Sequence, residues 1–298
     1  MPAIVVKDLK KQFNSLVAVD NVSFSVAEGE AFGLLGPNGA GKTTTINMLV
    51  GVLQPDSGEV SINGANDPTR PQVRLGIGNA PQSISLYEDL TAEENLCFFG
   101  KLYSLKGSQL KERVAWALQF AGLTDRRNSR VKTFSGGMMR RLNLACALVH
   151  DPKVLLLDEP TVGVDPQSRN LIFEQIESLK KQGRTIIYTT HYMEEAQRLC
   201  DRVAIIDQGK ILAMDTVEKL IAAHGGNAVL EAELFTAPES GIDLPGELEG
   251  THLRLETDEP LKQLAELSER GLRFQTVKIE RADLEAVFLN LTGRRLRD

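Results

Sequence analysis

The sequence predicts an α/β protein: a mostly parallel sheet with helices on both faces, followed by a smaller α+β region. Three observations carry this. From residue 153, apolar strand segments alternate with helical ones, the order that builds parallel sheets. Helical periodicity dominates residues 91–150, and the turn-like "HGGN" at 224–227 precedes a second set of strands and helices.

Taken in order, "AIVVKDL" and "VSFSV" alternate apolar with polar residues as half-buried strands do, and "EGE" turns into the apolar "AFGLLG". After Gly41 the pattern becomes helical, "KTTTINMLVGVL", and "QPDSGE" ends it. Thr91 and Glu94 have the spacing of a capping box ahead of "NLCFFGKLYSL". Then follow strand "KVLLLDE", helix "SRNLIFEQIESLKKQ", strand "RTIIYTT", helix "MEEAQRLC" and strands "RVAIID" and "KILAM". Beyond the linker come strands "AVLEAELF" and "HLRLET", helix "PLKQLAELSER", strand "RFQTVKI" and a final helix "ADLEAVFLNL". That helix spaces Leu284, Val287, Phe288 and Leu291 along one face. The division expected is 1–224 and 225–298, hinged at Gly225-Gly226, with a helical subdomain at about 83–150.

Composition narrows the function classes. With 42% hydrophobic and 25% charged residues the chain can bury a sizeable core. Aromatics at 5% argue against a base-stacking single-strand binder. No apolar run approaches the ~18–20 residues that cross a bilayer, and "MPAIVVKD" lacks the plan of a secretory signal. The expectation is a chain that stays in the cytoplasm unless a partner holds it at a membrane. Cys97, Cys146 and Cys200 form no C-x-x-C pair, so buried, reduced thiols are expected. The net charge of −6 lies wholly from residue 226 onward, where acids outnumber bases 15 to 9, so the tail is a poor partner for nucleic acid.

"GPNGAGKT" at 36–43 fits G-x-x-x-x-G-K-[ST]. Glycines let the backbone N–H groups wrap a phosphate, Lys42 adds a point charge at the β/γ-phosphates, and Thr43 can bind Mg²⁺. The candidate cradle is Gly36, Pro37, Asn38, Gly39, Ala40, Gly41, Lys42, Thr43 and Thr44. It lies between a strand and a helix, where a phosphate loop must lie. "VLLLDEP" at 154–160 is an apolar strand ending in two carboxylates. Asp158 is placed to hold Mg²⁺ and Glu159 to accept a proton from an attacking water. Gln82 in "NAPQS" can reach the metal and that water. His191 follows a strand end, where α/β sheets collect ligands, and can contact a γ-phosphate. Phe13 in "KKQF" can stack on a base. The phosphate loop favours nucleotide binding by itself; taken singly, the acids at 158–159 would be a solvated turn, Gln82 polar surface, His191 structural and Phe13 core.

One stretch remains: "FSGGMMRR" at 134–141 puts small residues at the start of a helix, leaving backbone N–H groups free to meet an anion. The phosphate loop, Gln82, "FSGGMMRR", "LLLDEP", "VGVDP" and His191, in this order and spacing over roughly residues 4–222, resemble the complete motif set of an ABC-transporter ATP-binding domain. The resemblance implies a P-loop fold with a mixed sheet core, an N-terminal antiparallel β part and a helical subdomain. It implies ATP and Mg²⁺ as cofactors, with catalytic roles for Glu159, His191, Gln82 and Lys42, and Thr43, Gln82 and Asp158 around the metal. It also implies a head-to-tail pair of copies in which Ser135, Gly136 and Gly137 complete the partner's site and Asp165 lies along the interface. Phe134, Met138 and Val164 depart from the usual Leu, Gln and Leu, which leaves the backbone donors intact.

Further stretches, "TVGVDPQSR", "THYMEEAQRLCDR" and the ending "LEAVFLNLTGRRLRD", are similar to the ABC-2 exporter branch of daunorubicin-resistance and nodulation-factor ATPases. The function so implied is ATP-driven export of a drug-like, lipid or oligosaccharide cargo through separate transmembrane permease subunits. The chain would sit on the inner face of the cell membrane, with residues 83–130 as docking surface and no nucleic-acid partner. A soluble ABC-type ATPase acting on ribosomes or DNA is the alternative; such relatives carry paired domains or a long coiled-coil insertion, and this sequence has neither. A nucleotide-binding regulator without turnover is argued against by Glu159.

Overall fold

Strand β1 (Pro2–Phe13) pairs antiparallel with β2 (Leu16–Ala27) in a computed structural model that describes residues 2–237, 244–280 and 282–294. The buried strand β3 (Ala31–Leu35) leads into the glycine loop and helix α1 (Lys42–Leu49). Strand β4 (Ser57–Ile62) joins the other edge of β1. Its first three residues belong to "QPDSGE", which reads as a helix stop, and the strand buries only Val60 and Ile62. The short α2 (Pro71–Arg74) and β5 (Ile77–Ala80) also escape pattern reading. Gly78 and Asn79 dilute the strand signal of β5, yet a Cβ at Gly78 would stand 2.4 Å from the Ala147 carbonyl oxygen.

Helices α3 (Ala92–Leu102), α4 (Gly107–Phe120) and α5 (Gly136–Leu148) form a helical region. The expected capping box is present: the Thr91 hydroxyl accepts from Glu94 N, and Glu94 accepts from Thr91 N at 2.8 Å. Leu96, Val114, Leu118, Leu142 and Cys146 share one core with Phe134, against which Met138 packs. Two of the three departures from the usual motif, Phe134 and Met138, thus fill this core.

The chain continues through β6 (Val154–Asp158), α6 (Pro166–Lys181), β7 (Thr185–Thr190), α7 (Met193–Leu199), β8 (Arg202–Asp207) and β9 (Lys210–Thr216). The central sheet has the order β5-β6-β7-β3-β8-β9. All its pairs are parallel except β8–β9. On one face, Phe32, Leu34, Leu156, Ile187 and Ile206 share a core with α1 and with Ile4, Val6, Leu9 and Phe24 of the antiparallel sheet. With β5, β6, β7 and β3 side by side and parallel, everything that follows their carboxyl ends meets along one edge: Gln82, Glu159, His191 and the loop from Gly36.

The chain divides into two compact units after Val217. The second holds most of α8 (Val217–His224), then β10 (Ala228–Leu234), β11 (Glu247–Glu249), β12 (His252–Thr257), α9 (Pro260–Glu269), β13 (Phe274–Glu280) and α10 (Leu284–Thr292). Its antiparallel sheet runs β11-β12-β10-β13, and Leu230, Leu253 and Leu255 share a core with Leu267 of α9. Leu284, Val287 and Phe288 of α10 are buried. The division after Val217 stands one helix before the 224/225 boundary expected from the sequence. A Cβ at Gly225 would stand 2.8 Å from that of Ala282, and Asn290 donates to the His224 carbonyl at 2.8 Å, so this stretch is a packed turn within the second unit.

Of the cysteines, Cys146 and Cys200 are buried and burial pushes both thiols up. Cys97 is only partly covered.

Candidate active site

Lys42 opens α1 and is 4% exposed. Its ammonium folds back to donate to the carbonyls of Gly36 at 2.7 Å and Pro37 at 3.0 Å. The loop needs Gly41: φ is 102° there, and a Cβ would stand 2.3 Å from the Ala18 carbonyl oxygen. Ala40 is spent on holding the loop, its carbonyl accepting from Gly209 N at 3.1 Å. The start of α1 has no side-chain cap and no acidic residue in its first turn, so its N–H groups stay available to an anion.

Glu159 is the centre. It is 4% exposed, and its Oε1 lies 3.1 Å from Lys42 Nζ and 3.4 Å from His191 Nδ1. Gln82 Nε2 donates to its Oε2 at 3.0 Å. The Glu159 backbone is left-handed at φ 45°, a conformation that costs a non-glycine residue on the order of 1–3 kcal/mol. Thr189 holds it there: Glu159 N meets the Thr189 carbonyl at 3.2 Å and its hydroxyl at 3.0 Å. The same hydroxyl donates to Asp158 Oδ1 at 2.6 Å. Burial pushes the Asp158 carboxyl above its ordinary value, against hydrogen bonds from Thr189 and Thr43 that pull it down.

These groups border a cleft of about 530 Å³ lined by Phe13, Leu16, Ala18, Asn38, Gly39, Gly41, Lys42, Thr43, Thr44, Gln82 and Glu159. Phe13, 43% exposed at the end of β1, and Leu16, 66% exposed, give it an apolar lip. The donors available to a cation are the Thr43 hydroxyl, the Gln82 amide and the Asp158 carboxylate. No group of three or more His, Cys, Asp or Glu side chains gathers for a metal among the described residues. Oxygen donors too few to cage an ion fit Mg²⁺, which keeps waters and takes phosphate oxygens as ligands.

Ser135, Gly136, Gly137 and Asp165 are not brought into this cleft; they gather with one another at the starts of α5 and α6. The Ser135 hydroxyl accepts from Met138 N at 3.3 Å, capping α5. Asp165 Oδ1 accepts from Ser168 N at 2.9 Å, capping α6, and that bond holds the carboxyl below its usual range. A Cβ at Gly137 would stand 2.2 Å from Ser168 Oγ, so Gly137 serves the approach of the two helices. At Gly136 a Cβ would meet nothing nearer than the Gly163 carbonyl oxygen at 3.9 Å. That position faces outward.

Two residues escaped the sequence reading. Thr189 was legible only as a polar residue at a strand end, beside Asp158 in the sheet register. Arg140 sits in the basic run of α5 and donates to the Gln82 carbonyl and, at 3.2 Å, to that of Val162. Burial pushes its guanidinium below its ordinary value while the charge of Glu159 acts the other way.

Residues 19–162 match the ABC transporter family. The chain is 41% identical to a linearmycin resistance ATP-binding protein of Bacillus subtilis, over 98% of this chain and 99% of the relative. It is 43% identical to Nod factor export ATP-binding protein I of Cupriavidus metallidurans, over 100% of both chains. Among solved structures it resembles an ATP-binding subunit of an ABC transporter (TM-score 0.68, 32% identity, 75% of this chain and 93% of that one). It also resembles a dimeric ATP-binding cassette in a post-hydrolysis state with ADP and Pi (TM-score 0.66, 25% identity, 72% and 98%). No helix among the described residues is long and apolar enough to cross a membrane. The chain therefore belongs to the ATP-binding subunits of the ABC transporter family, which bind and hydrolyse ATP.

Proposed function

We propose that the chain powers an ABC-2 type exporter: it hydrolyses ATP in the cleft below Phe13, works as a head-to-tail pair and drives separate membrane subunits that carry a drug-like, lipid or oligosaccharide cargo. The observation that carries the reading is the convergence of Lys42, Gln82 and His191 on Glu159. Loop N–H groups and Lys42 hold the β- and γ-phosphates, and Glu159 takes the proton of the attacking water. Gln82 fixes the carboxylate's aim by its hydrogen bond, and His191 stands beside it at 3.4 Å. Mg²⁺, held through Thr43, Gln82 and Asp158, would neutralise phosphate charge. The names of the curated relatives, linearmycin resistance and Nod factor export, support an export role.

The base lies against Phe13. Phe13→Ala should raise the Kd for ATP about tenfold, the effect of losing ~1.4 kcal/mol of stacking, with kcat held once the site is saturated. Isothermal titration with ATP on both chains checks it.

On the helical region, Tyr87 and Leu102 are 50% and 62% exposed, and Tyr87 packs edge-on against Phe98 at 4.8 Å. This apolar surface lies within residues 83–130 and suits a membrane partner. The tagged chain, purified from detergent-solubilised membranes, should bring down a polytopic protein that stimulates its ATPase. Ribosomal proteins in its place would favour the soluble alternative. The unit from Glu218 onward supplies none of the site residues, so it is assigned an accessory role. A chain ended after Val217 should keep its ATP affinity and lose recovery of the membrane partner. Loss of ATP binding in a chain that stays folded would overturn that division.

A further inference from the structure

Glu195 in α7 lies outside the cleft and touches none of its phosphate-binding or metal-binding groups. Its side chain is 0% exposed, and a buried carboxylate is costly unless donors surround it. It has four. Oε1 accepts from the Thr161 hydroxyl at 2.7 Å and from Arg169 Nε at 3.0 Å. Oε2 accepts from the Tyr188 hydroxyl at 2.8 Å and the Thr190 hydroxyl at 2.7 Å. Four bonds fill the acceptor capacity of one carboxylate. Burial and the charge of Glu195 push the Tyr188 phenol well up, so it stays protonated and donates.

The donors come from two places that matter. On the Oε1 side, Thr161 lies two residues after Glu159 and opens the segment that ends at Asp165, while Arg169 lies one turn into α6. The Arg169 guanidinium also stacks over Phe173 at 5.4 Å and over Tyr192 at 5.1 Å. On the Oε2 side, Tyr188 and Thr190 end β7. Because the Thr190 proton is committed to Glu195, its hydroxyl oxygen accepts from Tyr192 N at 2.9 Å. His191 is thus clamped between two residues whose polar groups trace back to one carboxylate.

Stability alone accounts poorly for such a residue, since a buried ion pair contributes little over well-packed apolar side chains. What four directional, charge-assisted bonds supply is fixed register. We propose that Glu195 is a positioning residue for hydrolysis, one carboxylate that locks the turn after Glu159 to the turn carrying His191. The inference rests on the assignment of Glu159 and His191 to the reaction.

The test is steady-state ATP hydrolysis by the full chain, with thermal melts to score folding. Glu195→Gln keeps the shape and removes the charge that holds Arg169; Thr190→Val leaves the Oε1 side intact and cuts the link from Oε2 through the Thr190 hydroxyl to Tyr192 N. Each should lower kcat about tenfold with the KM for ATP within about twofold, the split expected when geometry rather than binding is lost. His191→Ala should lower kcat as well, and adding Thr190→Val to it should cost little more, because the Oε2 arm acts through that ring position. Folded Glu195→Gln and Thr190→Val chains with wild-type kcat, beside an impaired His191→Ala chain, would overturn the inference. So would losses that multiply in the double variant. Wild-type kcat in His191→Ala would instead remove the site assignment beneath it.

Discussion

Glu159→Gln should lower kcat for ATP hydrolysis by about 10²-fold or more, the usual worth of a general base, while ATP binding is kept or strengthened. The sign of the binding effect comes from Lys42. Its ammonium is shared among the Gly36 and Pro37 carbonyls and Glu159 Oε1 at 3.1 Å. An incoming phosphate must compete with that carboxylate for the cation, and a neutral amide competes less. The substitution is close to isosteric and can keep accepting from Gln82, so the left-handed turn at residue 159 and its Thr189 anchors should persist. Nucleotide affinity by titration and steady-state hydrolysis on the same preparation decide it. A kcat near wild type would show that Glu159 is not the base.

Most of the architecture was legible because its periodicities are strong. Strands β3, β6 and β7 are buried along their whole length and are built on short apolar runs, as strands covered on both faces are. The capping box at Thr91 marked the start of α3. What escaped is what no local pattern encodes. Strand β5 is specified by its place beside β6 and by room under Gly78. Helix α8 groups with the second unit, where Asn290 donates to the carbonyl of its last residue, His224, a contact that a Gly-Gly pair in a sequence does not signal. In the site, motif residues were legible as motifs, but their supports were not. Thr189 reaches Asp158 and Glu159 across a strand pair, and Arg140 reaches Gln82 from a helix in another region. Glu195 gathers donors from β7, α6 and the turn after Glu159. Such contacts between distant stretches leave no trace in spacing.

The start of α5 stands apart from the cleft in its own chain; in the proposed head-to-tail pair it lies opposite a nucleotide held by a second copy. The two glycines there differ. Gly137 is filled from inside by Ser168, so a side chain at that position would damage its own fold. Gly136 has open space, with the Gly163 carbonyl oxygen 3.9 Å from where a Cβ would be. An aspartate at 136 is therefore tolerated by its own chain, at a helix start where acids are favoured. Its charge would fall on the phosphates of the partner's nucleotide. Lys42→Ala damages the site of the chain that carries it, and Gly136→Asp damages the other. Each variant alone should hydrolyse ATP at under about a hundredth of the wild-type rate, in line with loss of an electrostatic contact to transferring phosphate. Mixed in equal amounts, half of the pairs carry one site damaged twice and one intact. The decisive measurement is ATP hydrolysis by that mixture, with two affinity tags to establish that mixed pairs form. The account predicts recovery to about a quarter of the wild-type rate, as random pairing of two copies requires; mixed pairs no more active than either variant alone would contradict it.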